Sequence, residues 1–340
     1  MAVIKLRAGG ETHRGHIRET NQDVILVEPD LGLYAVLDGM GGAKAGDVAA
    51  RIAGEEIAAS IRRMSRIRRR SPRQALELAL HTAAVEVFMA AEKQLAYRGM
   101  GTTVVACLVV EPTQVVIGHA GDSRAYLLRD GKLRALTRDH TVAQRLVDAG
   151  ALRVDEAESC PQKHFLTRNI GREYGVQPDV LDLELKQGDR LLLCSDGLYG
   201  GASVGSIQRV LGSRESPTRV ARRLVKLALR GEAADNISAI VLAAENDRAP
   251  AERGRRSSRG QVRQRGKVRR SAAVALTESS AGSTPAAGTA GLPPGPLGRP
   301  PPRTRRGRRT GERRRPVAAV AIAVADLRRV AERSSLDVAG

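Results

Sequence analysis

Tyr34-Ala35-Val36-Leu37-Asp38-Gly39-Met40-Gly41-Gly42-Ala43-Lys44-Ala45-Gly46 is the stretch on which the reading of this chain turns. An apolar run delivers a single carboxylate, Asp38, and four glycines follow within eight residues. A strand that ends in Asp-Gly presents a charged group at the edge of a sheet. The glycines let other backbone come close and tolerate positive φ. Asp-Gly is also a common turn dipeptide, so a simple hairpin turn competes with a ligand-bearing edge. What tips the balance is that other Asp residues stand in the same context.

Upstream, Gly15-His16-Ile17-Arg18-Glu19-Thr20-Asn21-Gln22-Asp23 leads into a strand over Val24–Val27, which Leu33–Leu37 should pair with. Downstream, apolar residues at helical spacing predict a helix over Asp47–Met64, with Ala53, Ile57 and Ile61 on one face and Val48, Ile52 and Ala59 on the other. Two apolar faces suit a helix held between a sheet and another helix. Arg62–Arg70 reads as a basic linker. A second helix follows Ser71-Pro72, where Ser caps and Pro takes the first turn. The two should form an antiparallel hairpin. Strands are then expected over Thr102–Val109, Gln114–His119, Arg124–Arg129 and Lys132–Leu136, separated by turn dipeptides. Val142–Gly150 reads as a short helix, and the polar stretch to Pro178 as an excursion over the surface. Strands over Leu181–Leu185 and Arg190–Leu193, a helix over Ser216–Arg230 and a last strand over Ile237–Ala244 complete the pattern. Asp23, Asp38, Asp122, Asp196 and Asp235 each border one of these strands. Five hard oxygen donors without a His or Cys cluster would suit Mg²⁺ or Mn²⁺ in preference to zinc. Spacing alone does not bring them together.

Charge separates the chain into two parts. The net charge of 340 residues is +19, yet from Asp247 onward there are 22 Lys/Arg against 7 Asp/Glu, and the first 246 residues carry only +4. Basic character therefore belongs to the tail, and nucleic-acid binding does not follow for the front of the chain. Apolar residues make up 42% and aromatics 2%, so the core must be aliphatic. Three cysteines, Cys107, Cys160 and Cys194, form no C-x-x-C and read as free thiols in a reducing, cytoplasmic setting. Met1–Gly10 has no apolar core of a signal peptide, and no run reaches the roughly 20 apolar residues of a membrane helix.

Seven motifs now stand in order: Arg18-x-x-Asn21-Gln22-Asp23, Asp38-Gly39-Met40-Gly41-Gly42, Gly99-Met100-Gly101-Thr102-Thr103, Gly121-Asp122-Ser123-Arg124, Leu136-Thr137-x-Asp139-His140, Cys194-Ser195-Asp196-Gly197-Leu198 and Asp235-Asn236-Ile237-Ser238. Their order resembles that of the metal-dependent PP2C-type protein phosphatases, most nearly the bacterial Ser/Thr phosphatases, over roughly residues 8–245. His164-Phe165-Leu166-Thr167-Arg168-Asn169-Ile170-Gly171 is similar to the end of that family's flap. The resemblance implies an α+β fold, a four-layer α-β-β-α sandwich of two mainly antiparallel sheets flanked by helices. It implies a phosphatase domain over 1–246, with a flap-like excursion at about 141–178. It also implies hydrolysis of phosphoserine and phosphothreonine by a water bridging two divalent ions, Mn²⁺ or Mg²⁺. Asp38 would bridge the ions, the Gly39 carbonyl would bind one, and Asp196 and Asp235 would complete the pair. Asp122 would help hold a third, Asp23 would contact metal-bound water, and Arg18 would grip the substrate phosphate. Some family members carry His where this chain has Met40, and that His is proposed as a general acid. His140 and His119 are candidates for the missing proton donor, although structural roles suit both better.

Phosphoproteins are the implied partners, namely Ser/Thr kinases and their substrates, met by a monomer. A catalytically weak or silent phosphoprotein-binding regulator of the same fold is the alternative, and retention of Asp38, Asp196 and Asp235 argues against it. Residues 247–316, rich in Arg, Pro, Gly and Ala, are expected to be a disordered linker, and 317–333 a short helix. This basic tail could tether nucleic acid or an anionic surface. The preferred reading is an Arg-rich extension without that role, because it has no aromatic residue to stack on bases.

Overall fold

A computed structural model describes residues 4–41, 45–65, 71–231 and 233–246. The expected linker and short helix beyond residue 246 lie outside the described residues.

In chain order the strands are β1 (Ile4–His13), β2 (Asp23–Glu28), β3 (Leu33–Met40), β4 (Gly101–Thr102), β5 (Val104–Val109), β6 (Gln114–Ala120), β7 (Arg124–Arg129), β8 (Lys132–Ala135), β9 (Asp179–Glu184), β10 (Arg190–Cys194) and β11 (Ile237–Asn246). The helices are α1 (Gly46–Ser65), α2 (Pro72–Lys93), α3 (Val142–Asp148), α4 (Val154–Ala157), α5 (Asp196–Gly201), α6 (Val204–Leu211) and α7 (Pro217–Arg230). One sheet runs β1-β11-β10-β7-β8 and the other β2-β3-β5-β6-β9, with β4 paired to β3. All these pairings are antiparallel.

The central strands are apolar on both faces because each sheet is covered twice. In β3, Leu33, Ala35 and Leu37 pack toward α1 and α2, while Tyr34 and Val36 enter the space between the sheets. In β10, Leu191 and Leu193 fill that same space and Leu192 and Cys194 face α5–α7. Three apolar layers thus separate four layers of secondary structure, the α-β-β-α sandwich that the resemblance implied. Helix α1 packs on both α2 and β3, as its two apolar faces required. At the start of α2, Ser71 Oγ accepts from the Gln74 N–H at 3.3 Å and the Gln74 side chain accepts from the Ser71 N–H at 3.4 Å. That capping box is what Ser71-Pro72 signals.

Four differences from the sequence reading matter. The N-terminal residues form β1, paired along all of its length with β11; its mixture of Lys, Arg, Gly and Glu hides an edge strand. The strand expected over Thr102–Val109 breaks at Thr103, whose side chain is needed elsewhere. Helix α1 ends at Ser65, one residue past the expected Met64, so the first residues of the basic Arg62–Arg70 stretch are helical and not linker. Cys194-Ser195-Asp196-Gly197 is not a strand running into a turn, since β10 stops at Cys194 and Asp196 opens helix α5. Among the described residues no helix is long and apolar enough to cross a membrane.

Candidate active site

β3 does not turn at Asp38-Gly39. It continues to Met40, and Gly39 and Met40 pair with Thr102 and Gly101. The Asp38 carbonyl accepts from the Thr103 N–H (2.9 Å) and the Thr102 hydroxyl (2.9 Å), and the Asp38 N–H donates to Thr103 Oγ1 (3.1 Å). The backbone that carries this carboxylate is therefore pinned on both sides. The glycines have a steric reason: a Cβ on Gly39 would stand 2.1 Å from the Gly46 carbonyl oxygen, so the strand and the start of α1 could not approach each other with larger residues.

Asp23 opens β2 directly opposite Asp38. Its Oδ2 accepts from the Ser195 hydroxyl (2.8 Å) and the Ser238 hydroxyl (2.7 Å), and its buried Oδ1 has no protein partner. Asp122 lies between β6 and β7, Asp196 in the first turn of α5, and Asp235 two residues before β11. Asn236 organises that last segment. Its side chain accepts from the Gln22 N–H (2.8 Å) and donates to the carbonyls of Arg14 (2.9 Å) and Thr20 (3.0 Å). Six separate segments thus bring Arg18, Asp38, Gly39, Met40, Thr103, Asp122, Asp196 and Asp235 to one cleft of about 770 Å³. Asp23 sits buried behind its wall.

Electrostatics mark this cleft as unfinished without a cation. Burial pushes the carboxyls of Asp23 and Asp122 up to about 7, and it pushes Asp38 well above the carboxylate range, with the neighbouring aspartates adding to the effect. The Asp196 Oδ1 is buried with no protein partner, like the Asp23 Oδ1. Crowded carboxylates with unused oxygen lone pairs fit a hard divalent ion. Asp38, Asp196, Asp235 and the Gly39 carbonyl could hold such ions at the floor of the cleft. Arg18 donates to Asp235 Oδ2 at 2.7 Å, which raises its own pKa.

For His119 and His140 the sequence held open a proton-donor role but favoured a structural one, and their positions support the structural role. His119 and His140 do not line the cleft; they pack against each other, ring centroids 4.6 Å apart, outside it. Neither can hand a proton to a leaving group in the cleft. The histidine that does line it is His164, whose Nδ1 stands 3.6 Å from Asp196 Oδ2. Its ligand atom lies within 4.8 Å of those of Asp122 and Asp196. Its approach to Asp196 raises its pKa. The sequence signalled His164 only as part of the flap-like motif, since nothing in its spacing relates it to Asp196.

The profile of protein phosphatase 2C matches residues 10–236. The chain belongs to the protein phosphatase 2C family. It is 36% identical over 241 residues to the serine/threonine protein phosphatase PstP of Mycobacterium tuberculosis, an alignment covering 70% of this chain and 45% of PstP. It therefore spans about half the length of that curated relative. The serine/threonine phosphatase stp of Listeria monocytogenes is 31% identical over 257 residues, covering 74% of this chain and all of stp. Among solved structures, the catalytic domain of PstP in complex with two manganese ions aligns with a TM-score of 0.63 at 32% identity, over 72% of this chain and all of that domain. As a protein phosphatase 2C, the chain places its carboxylates where β2, β3, the first turn of α5 and the segments before β7 and β11 meet.

Proposed function

We propose that residues 1–246 are a metal-dependent protein serine/threonine phosphatase, and that the carboxylate cleft is its active site. The observation that carries this reading is the convergence of Asp38, Asp122, Asp196 and Asp235 with Arg18 on one cleft, in a family that includes a manganese-bound relative. A bound pair of divalent cations would supply charge neutralisation for the phosphoryl oxygens and a nucleophilic water of lowered pKa. Asp38, Asp196, Asp235 and the Gly39 carbonyl would hold that pair, with Mn²⁺ or Mg²⁺ both suited to all-oxygen donors. Asp122 and Asp196 would hold a third ion, with His164 beside them.

The remaining work falls to this chain's own residues. Arg18 has donors beyond the one it gives Asp235 and orients the phosphate at the rim of the cleft. Ser195 and Ser238 fix the Asp23 carboxyl, so that its free oxygen points one way. The Cys107 and Cys194 thiols offer no competing nucleophile, since burial pushes both up to about 12. Phosphoproteins made by Ser/Thr kinases are the proposed substrates, and the three free cysteines suit a reducing cytoplasm. The test is hydrolysis of p-nitrophenyl phosphate and of a phosphothreonine peptide, each with Mn²⁺ and with EDTA. Turnover that requires the metal is expected. Equal turnover in EDTA, or none in Mn²⁺, overturns the reading.

A further inference from the structure

The excursion at 141–178 begins just after His140 and ends just before Asp179, and those two residues are bonded to each other. The His140 Nε2 lies 3.1 Å from Asp179 Oδ2, and Arg168, from within the excursion, donates to Asp179 Oδ1. The other ring nitrogen of His140 meets the segment that carries Asp122. Its Nδ1 accepts from the Gly121 N–H at 3.1 Å, while the His140 N–H donates to the Gly121 carbonyl at 2.8 Å. Gly121 is the residue before Asp122.

A backbone N–H can only donate, so Nδ1 must present its lone pair. A neutral ring then carries its proton on Nε2, where Asp179 accepts it. The Arg168 guanidinium stands 3.0 Å from the same Nε2. Both groups are donors, so they share the Asp179 carboxylate and make no bond to each other. Asp179 and Arg168 thereby select the one tautomer that leaves Nδ1 free for Gly121. His119, stacked on the His140 ring and held neutral by burial, adds no competing charge.

The backbone that receives this bond has little freedom of its own. Gly121 adopts φ +120°, and a Cβ there would stand 2.6 Å from Thr103 Cβ. On the far side of Asp122, Ser123 Oγ hydrogen-bonds Thr103 Oγ1 at 2.7 Å, the same hydroxyl that receives the Asp38 N–H. The Tyr199 hydroxyl donates to the Asp122 carbonyl at 3.0 Å. Asp122 is thus clamped through Ser123 to the Asp38 segment and through Gly121 to His140.

We propose that His140 is a positioning residue for Asp122: its Nδ1 fixes Gly121 and so aims the Asp122 carboxylate, and the Asp179–Arg168 pair at the base of the excursion fixes the His140 tautomer. The inference rests on the reading of Asp122 as a cation ligand.

The experiment combines long-range imidazole ¹⁵N spectra of the metal-free protein with Mn²⁺ calorimetry and steady-state turnover of wild type, Asp122→Ala, His140→Leu, His140→Asn and Asp179→Leu. In wild type, His140 should show an unprotonated Nδ1 and a protonated Nε2, and Asp179→Leu should turn this into a tautomer mixture. His140→Leu should follow Asp122→Ala, weakening the weakest Mn²⁺ site or lowering kcat by about 10- to 100-fold, the scale of losses seen when a ligand's support is removed. His140→Asn, whose amide oxygen can stand where Nδ1 stands, should recover to within about threefold of wild type, as expected where the acceptor to Gly121 is what matters. A protonated Nδ1 in wild type overturns the proposal, whatever the variants do. So does a His140→Leu protein that binds Mn²⁺ and turns over like wild type while Asp122→Ala does not. If Asp122→Ala itself is unimpaired in both, the reading of Asp122 fails first and this inference fails with it.

Discussion

Asp23 and Asp38 are directly opposed across the antiparallel pair of β2 and β3. Like charges in that position are destabilising, and here Asp122, Asp196 and Asp235 add to the repulsion felt at Asp38. Two serines relieve only one oxygen of Asp23. The crowded carboxylates therefore cost stability as long as nothing of opposite charge offsets them.

The first consequence is a pH dependence of the metal-free protein. Asp23 titrates near 7 when folded, above its ordinary value near 4 in an unfolded chain. Its contribution to stability is therefore fully present below about 4 and is lost as pH rises toward 7. Asp23→Asn carries no such charge. In EDTA its melting temperature should exceed that of wild type by a margin that widens from pH 5 to pH 8, about 2–4 °C for each kcal/mol of burial and repulsion cost removed. Mn²⁺ should stabilise wild type more at pH 8 than at pH 5. Parallel melting curves for the two proteins across that range would show that charging Asp23 costs the fold nothing.

His119 is expected to behave in the opposite sense. It is 1% exposed, its ring nitrogens find no well-formed hydrogen bond, a weak approach to the Ser123 backbone aside, and burial pushes its pKa down to about 3. The unfolded ring takes up a proton near 6.5 and the folded one does not, so stability falls as pH drops from about 6.5 toward 3. An apolar replacement leaves no unsatisfied nitrogen. His119→Leu should therefore be neutral or stabilising at pH 7 in urea titrations, and its acid destabilisation should be shallower than that of wild type. A loss of several kcal/mol at pH 7 would mean that the ring has a partner after all.

Asp38→Ala and Asp196→Ala should separate activity from stability. Each removes a proposed ligand, and turnover should fall by at least about 10²-fold, because even changes beyond the ligands often cost 10- to 100-fold. Each also removes one charge from a crowded site, so melting in EDTA at pH 8 should not drop. Turnover and thermal melts on the same preparations check both halves. Near-normal turnover of either variant would remove that residue from the site.

How far the sequence carried the argument depends on which kind of information each element needed. The apolar runs of β3, β5, β10 and β11 are legible because both of their faces are buried, and Asp38 is legible because an apolar run ends on it. β1 is not, since an edge strand with Lys5, Arg7, Gly9 and Gly10 has no such run. The five aspartates could be picked out by context, but their meeting depends on pairings such as Asp23 with Asp38 that join distant segments. His164 and the His140–Asp179 bond were out of reach for the same reason. For His119 and His140, residue type alone left a proton-donor role open beside the preferred structural one, and the packing of the two rings against each other outside the cleft decides for the latter.

The last prediction concerns Arg18. Its guanidinium donates to Asp235 Oδ2 at 2.7 Å, with the Arg18 side chain 54% exposed at the rim of the cleft. An ion pair so exposed contributes little to stability, so Arg18→Ala should fold normally. Two roles remain, and kinetics distinguish them. If Arg18 grips the substrate phosphate equally in ground and transition states, its removal raises KM for a phosphopeptide and lowers kcat much less. Arg18→Lys should then recover only part of the loss, because an ammonium keeps the charge without the two-pronged geometry. Mn²⁺ affinity should not weaken, since Asp235 loses a competing cation and no ligand is removed. Steady-state kinetics over a peptide series beside a Mn²⁺ titration supplies both readouts. An unchanged KM together with weaker Mn²⁺ binding would make Arg18 a structural partner that holds Asp235 in place, and the phosphate would have to be gripped by other residues of the cleft.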